Sequence, residues 1–140
     1  MKKSRTKRSV MIIFPMMLSV SAILVACSQP CLTGSRAANQ NSYTLDIERM
    51  TGNDTHAFEV SAGDSLKIRF ATEEGSMQME IRAPDGTILY SGNGKGATDF
   101  TVNISEGGVY AVAVKAHGAK GMIHIQAIRR NDYENTGVQK

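Results

Sequence analysis

Hydrophobic and polar residues alternate with a period of two throughout the chain after residue 42. In the first run, residues 43–48, Tyr43, Leu45 and Ile47 point to one face of an extended strand, and the polar residues between them point to the other. Seven further runs repeat this pattern, at residues 58–60, 66–70, 77–81, 88–90, 100–104, 110–114 and 123–125. The alternation therefore predicts eight strands with one shared apolar core.

Short turn sequences separate these runs. They occur at residues 52–54, 62–64, 73–75, 84–86, 91–96, 106–108 and 117–121. Most contain glycine, which adopts positive φ at no steric cost, and Pro84-Asp85-Gly86 favours a tight turn. Short strands at even spacing are typical of sandwiches. We expect an all-β fold at residues 43–130, a single eight-stranded antiparallel β-sandwich of jelly-roll type.

The N-terminal segment has a different pattern. Five cations and no acid occur between Lys2 and Arg8, and an apolar stretch follows from Val10 to Ala26. A spanning helix needs about 20 apolar residues, whereas this stretch is shorter, contains Pro15 and ends in small residues. These features predict a helical signal peptide at residues 1–26 that is removed, rather than a retained transmembrane helix.

The end of this segment, Leu24-Val25-Ala26-Cys27, resembles the lipobox of bacterial lipoprotein precursors. The resemblance implies diacylglyceryl transfer to the Cys27 sulfur and cleavage between Ala26 and Cys27. Cys27 would then tether the mature domain, outside the cytoplasm, to lipid of the cell membrane or the outer membrane. The alternative is an ordinary free or buried cysteine at the end of an apolar run.

Residues 27–42 are polar and lack periodicity, so we expect a lipidated cysteine followed by a flexible tether. Cys31 is expected to be a free thiol, and intermolecular pairing is the alternative. Residues 131–140 are polar and predict a disordered tail.

The charge of the whole chain is misleading. Sixteen Lys and Arg against thirteen Asp and Glu give a net charge of +3, but five of those cations lie in the signal. The mature chain is therefore mildly acidic, which argues against a nucleic-acid partner.

No catalytic constellation is apparent in the sequence. His56, His117 and His124 lie outside any recognisable motif, and each is expected at the surface, with His56 just before a strand. We therefore expect no enzyme activity, cofactor or metal. Calcium is the alternative considered, because six acids occur near turns. They are Asp54, Asp64, Glu73, Glu74, Asp85 and Asp99.

A second resemblance covers about residues 56–127. The segments 58–68, 83–89 and 106–112, including Ala83-Pro84-Asp85-Gly86 and Glu106-Gly107-Gly108, are similar to the pre-peptidase C-terminal family. That resemblance implies a small jelly-roll domain. Members of the family are non-catalytic accessory modules of secreted enzymes, and some bind sugar polymers or calcium.

These observations favour a non-enzymatic binding or accessory module for an envelope protein or a glycan. A protein is preferred because tyrosines are few and Tyr43, Tyr90 and Tyr110 are expected to face inward. The solvent-facing residues of the third and fourth predicted strands mix both signs of charge, which suits ordinary sheet surface or a polar partner. They are Lys67, Arg69, Gln78, Glu80 and Arg82. The alternative function is a structural or regulatory lipoprotein, for example an inhibitor of an envelope hydrolase.

Overall fold

The computed structural model describes residues 30–135, which form six antiparallel strands and one short helix. The all-β antiparallel class predicted from the alternation is confirmed. No helix in this part of the chain is long and apolar enough to cross a membrane. The elements are β1 Cys31–Ala38, β2 Ser42–Val60, β3 Ser65–Arg82, β4 Ile88–Gly92, β5 Thr98–Asn103, β6 Gly108–Ile128 and α1 Arg130–Asn135.

All six strands belong to one sheet with the order β1-β2-β6-β3-β4, and β5 also pairs with β3. The long strand β6 lies at the centre and pairs with β2 on one side and β3 on the other. The far edge of β3 is shared, because β5 pairs with residues 65–70 and β4 pairs with residues 79–82. On the far side of β2, β1 pairs with residues 43–51.

The prediction of eight separate strands is corrected to six. Three pairs of predicted strands merge, into β2, β3 and β6, because the turns expected at 52–54, 73–75 and 117–121 do not reverse the chain. They are irregularities inside long strands, where the pairing register shifts in β2 and β3. Glycine permits a bulge or bend within a strand as readily as it permits a turn.

These three irregular segments meet in space and form one line across the sheet, which we call the corner. Gly52 pairs with Ala116, and the amide of Gly118 donates a hydrogen bond to the Thr51 hydroxyl at 2.9 Å. A Cβ at Gly75 would collide with the carbonyl oxygen of Gly118. The corner divides the sheet into a first half-sheet, with residues 42–50, 65–72 and 119–128, and a second, with residues 52–60, 76–82 and 108–116.

The sheet folds over at the corner. The rings of Tyr43 and His56 stack with centroids 5.2 Å apart and planes within 4°. In a straight strand, thirteen residues would separate them by about 40 Å. The fold-over buries the inward side chains of both half-sheets in one cluster, including Leu45, Ile68 and Ile125 from the first and Phe58, Met79 and Val112 from the second.

The segment expected to be a flexible tether contains β1. An Asn39 turn joins it to β2, in which the Asn39 side chain accepts hydrogen bonds from the amides of Asn41 and Ser42, both at 2.8 Å. Most β1 side chains are exposed, and only Leu32 packs against the core. Backbone pairing with β2, which no side-chain pattern reveals, therefore stabilises this strand.

Residues 131–135 of the tail predicted to be disordered are helical, because α1 extends from Arg130 to Asn135. Its first residue, Arg130, donates its amide hydrogen to the Asp64 carboxylate at 3.0 Å. The predicted signal peptide and the lipobox residues Leu24, Val25, Ala26 and Cys27 lie outside the described residues.

Candidate functional site

The outward surface of the first half-sheet carries two rows of polar side chains across four strands. Each row takes one residue from each of β2, β6, β3 and β5, in that order. One row is Thr44, His124, Arg69 and Asp99, and the next is Ser42, Gln126, Lys67 and Thr101. We call these eight residues the polar face.

The alternation in each strand produces this surface. In β3, Leu66, Ile68 and Phe70 are fully buried, so Lys67 and Arg69 between them point outward, as the pattern predicts. In β6, Ile123 and Ile125 are buried in the same way and leave His124 exposed. The antiparallel register then sets His124 directly beside Arg69.

A depression of about 130 Å³ lies in the middle of the polar face, lined by Lys67, Arg69, His124 and Gln126. All four side chains can donate hydrogen bonds, and two of them carry a permanent positive charge. Asp99 approaches Arg69 at 3.5 Å, but both side chains are more than half exposed, so this ion pair holds Arg69 only weakly. The site is suited to binding a group rich in hydrogen-bond acceptors, such as a carboxylate.

The three histidines occupy different environments. His124 lies on the polar face and His117 is exposed at the corner, in agreement with a surface position. His56 differs from the expectation because it lies within β2 and is half-buried between Tyr43 and Phe58, 4.6 Å from the Phe58 ring centroid. Its Nε2 atom lies 3.1 Å from the Asn39 carbonyl oxygen. The fold-over at the corner puts His56 there.

The acids considered for calcium are dispersed in the structure. Among residues 30–135, no three His, Cys, Asp or Glu side chains come together in a group that could hold a metal ion. Asp54 binds Arg36, Glu73 lies 3.3 Å from Lys120, and Asp85 accepts the amide hydrogen of Thr87. These carboxylates serve as local ion-pair partners and turn caps.

Asp64 is the most deeply buried of these acids, at 4% exposed. Burial raises the pKa of its carboxyl group, but the amides of Ser61 and Arg130 and the Arg129 guanidinium outweigh burial and hold that pKa below its ordinary value. Arg129 also donates to the Glu59 carbonyl at 3.0 Å. Asp64 therefore ties the end of β6 and the start of α1 to the turn after β2.

The aromatic side chains described between residues 30 and 132 lie in or against the core. Tyr43 and Tyr110 are buried, and the Tyr110 hydroxyl donates to the Glu106 carbonyl at 2.7 Å. Tyr90 is half-buried and packs on Phe100, with centroids 4.4 Å apart. The polar face thus offers hydrogen bonds and charge to a ligand, and its eight residues include no Phe, Tyr or Trp ring for stacking.

Cys31 begins β1 and is exposed with a free thiol. The methionines of β3, Met77 and Met79, are both buried in the core, where their alternating positions place them.

Comparison with known proteins gives two weak structural similarities and one match to a family model. No curated protein matches the chain. The carbohydrate-binding module TmCBM61, solved in complex with β-1,4-galactotriose, is similar with a TM-score of 0.37 and 11% identity, over 64% of this chain and 66% of that one. A structure of infectious bursal disease virus Gx strain is similar with a TM-score of 0.25 and 12% identity, over 76% and 33%. Both TM-scores are low, and neither likeness bears on what this chain binds.

The family model of the bacterial pre-peptidase C-terminal domain matches residues 52–116. The matched segment begins and ends at the corner, because Gly52 and Ala116 are paired neighbours there. Its limits leave Ser42, Thr44, His124 and Gln126 of the polar face outside the match. The match confirms the resemblance noted in the sequence: residues 52–116 are similar to the bacterial pre-peptidase C-terminal domain.

Proposed function

We propose that this chain is a non-enzymatic binding module of the bacterial cell envelope, a jelly-roll-like sandwich that Cys27 anchors to a membrane through lipid. Its polar face docks on an acidic, acceptor-rich surface of an envelope protein. The family match at residues 52–116 supports a binding or accessory module, and the lipobox-like sequence at residues 24–27 supports the anchor.

The observation that carries the binding role is the register of the polar face. Four strands bring eight polar side chains into two adjacent rows on one face of the sheet, and Lys67, Arg69, His124 and Gln126 surround a common depression. Exposed charges in such an array steer an oppositely charged partner and set its orientation.

A protein partner is favoured over a glycan by the chemistry of this face. Rings that stack on apolar surfaces contribute much of the contact energy where they are present. Here the rings of Tyr43, Phe70 and Tyr110 are buried, whereas the side chains that line the depression are donors, two of them cationic. Acceptors such as Asp and Glu side chains on a protein satisfy those groups directly.

The test is affinity capture from detergent-solubilised envelopes, with the lipidated wild-type chain as bait. The variant Lys67→Ser with Arg69→Ser removes both cations of the polar face. The matched control, Arg49→Ser with Arg82→Ser, also removes two exposed cations, both outside the polar face.

We expect an acidic protein to be recovered with the wild type and the control, and at least about fivefold less of it with the polar-face variant. Equal recovery with all three baits would contradict the assignment of the polar face. A captured hydrolase whose activity falls on binding would identify the regulatory form of the same function.

A further inference from the structure

The described chain begins at the corner of the sheet. Pro30 lies beside Gly52, because a Cβ at Gly52 would be 3.0 Å from the Pro30 Cα atom. Cys31 pairs with Thr51 in the same region. Only three peptide units connect Cys27 to Pro30, and they span at most about 11 Å. If Cys27 is lipidated as proposed above, the corner is held against the lipid headgroups rather than far out on a long tether.

A pocket of about 240 Å³ opens at this corner, which we call the corner pocket. Lys115 and His117 of β6 line the pocket. Because only β2 lies between β1 and β6, the two strands are about 10 Å apart, two strand spacings of about 4.8 Å. Ser76 pairs with His117 where the register of β3 shifts, and Asn53 pairs with Lys115 just beyond the shift in β2. The pocket therefore begins at the corner and extends into the second half-sheet.

The loop between β4 and β5 supplies the third basic group, Lys95. Hydrogen bonds hold this loop on β3, with the Thr72 amide donating to the Gly94 carbonyl at 2.9 Å and the Thr72 hydroxyl donating to the Asn93 carbonyl at 2.7 Å. The Lys95 amide also donates to the Asn93 side chain at 3.1 Å. Lys95 is therefore positioned at the corner by a fixed backbone.

The charge of the corner pocket is one-sided. None of the described residues that line it is acidic, and Lys95, Lys115 and His117 are all exposed. Within residues 30–135, neither Lys95 nor Lys115 forms a salt bridge. Asp54 and Glu80 line an adjoining pocket with Lys115, and they pair with Arg36 and Arg82. Glu73 lies 3.3 Å from Lys120, and Glu74 is opposite the same lysine.

We propose that the corner pocket binds the phosphate group of an anionic lipid headgroup in the membrane to which the chain is anchored. This inference rests on the proposed anchor at Cys27. Each lysine near an anionic leaflet multiplies the affinity about fivefold. The contact adds a second attachment point beside the lipid and orients the sheet, with Arg69 in the middle of the polar face six residues, about 20 Å, from Gly75 of the corner along β3. The polar face remains free for a partner.

The test uses the lipidated full chain extracted from membranes and reconstituted into vesicles. One set of vesicles contains phosphatidylcholine alone, and the other contains phosphatidylglycerol as well. Lysine acetylation is measured by mass spectrometry at Lys95 and Lys115, and Lys67 on the polar face is the internal control in the same molecules.

We expect acetylation of Lys95 and Lys115 to fall about fivefold in the vesicles with phosphatidylglycerol, and acetylation of Lys67 to be the same in both. Equal acetylation of the corner lysines in both vesicles overturns the proposal. Inorganic phosphate is added to the detergent-solubilised chain in a third arm. Equal protection there also overturns it, because the occupant would then be soluble phosphate.

The anchor and the corner pocket fail separately in this experiment. The same digest contains the Cys27 peptide, whose mass reports the lipid. If Cys27 carries lipid and Lys95 and Lys115 are unprotected, the proposed lipid-binding role of the corner pocket is refuted and the anchor is supported. An unmodified Cys27 refutes the anchor. The ratio of lysine acetylation between the two kinds of vesicle still tests lipid binding at the corner pocket, because the vesicles are in excess over the chain.

Discussion

The hydroxyl of Tyr43 donates a hydrogen bond to the Asp54 carboxylate at 3.0 Å, although the two residues are eleven positions apart on one strand. The same carboxylate oxygen accepts the Nε hydrogen of Arg36 from β1 at 2.6 Å. Burial raises the pKa of Tyr43, and the negative charge of Asp54 raises it further, so the hydroxyl stays a neutral donor. Asp54 thus joins β1 and both halves of β2.

Replacing Asp54 should destabilise the fold more than replacing an acid in an exposed pair. The Asp54 side chain is only 12% exposed, and Asp54→Ala leaves Tyr43 and Arg36 without their acceptor. We expect the free energy of unfolding to fall by about 2 kcal/mol or more in urea denaturation. Asp99→Ala, whose side chain is 54% exposed, should cost under about 1 kcal/mol. Equal losses would contradict a structural role for Asp54.

The corner should tolerate no side chain at Gly75. Gly75 has φ +68° and Gly86 has φ +87°, so alanine is strained at both positions, by about 1 kcal/mol. At Gly75 the new Cβ also collides with the backbone of Gly118, whereas at Gly86 it meets nothing within 4 Å. We expect Gly75→Ala to lower the free energy of unfolding by at least about 3 kcal/mol. Similar melting temperatures for the two variants would argue against the close backbone approach.

Asp64 should make stability depend on acid pH. Because its pKa is lowered in the folded state, its contribution is complete above the unfolded value of about 3.9 and is lost as the pH falls through the folded pKa. Asp64→Asn removes that contribution. Urea denaturation across this range should therefore show a gap between wild type and variant that is constant near neutral pH and closes in acid. A gap independent of pH would exclude the carboxylate as its source.

The anchor predicts a defined mature N-terminus. Mass spectrometry of the chain from membranes should find cleavage between Ala26 and Cys27 and a diacylglyceryl group on the Cys27 sulfur. Cys27→Ala should block lipid attachment and cleavage, whereas Cys31→Ala, the matched control, should leave both unchanged. Detection of Met1 or of an unmodified Cys27 in the wild-type protein would refute the lipoprotein interpretation.

Local pattern was sufficient for the class of fold and for the core. Alternation along β3 identified Leu66, Ile68 and Phe70 as inward residues and Lys67 and Arg69 as outward ones, and the structure agrees at each of the five. Whether a residue faces the core or solvent depends on its parity within its own strand, so a few neighbouring residues carry the information. Ile88 is an exception, because a register shift between Ile81 and Arg82 places it opposite the exposed Arg82, whereas Tyr90 of the same strand is half-buried.

Strand number and the composition of the candidate site could not be read in the same way. The segments at 52–54 and 84–86 each contain one glycine and an aspartate, yet the first continues a strand through a bend and the second reverses the chain. The difference depends on pairing partners that are far away in sequence. The prediction of a flexible tether differs from the structure for the same reason: β1 is a strand because its backbone pairs with residues 43–51, which its composition does not indicate.

By itself, the sequence determined an all-β domain with a defined inward face, its turn-prone positions, and a signal and lipobox pattern that predicts an anchor at Cys27. Only the tertiary structure decided that three of those turns align as one corner, that His124 lies beside Arg69, and that the chain enters beside Gly52. The physical reason is the separation along the sequence over which each interaction acts. Alternation and φ preferences act between neighbours, whereas register and the corner arise from backbone hydrogen bonds and core burial between residues distant in sequence.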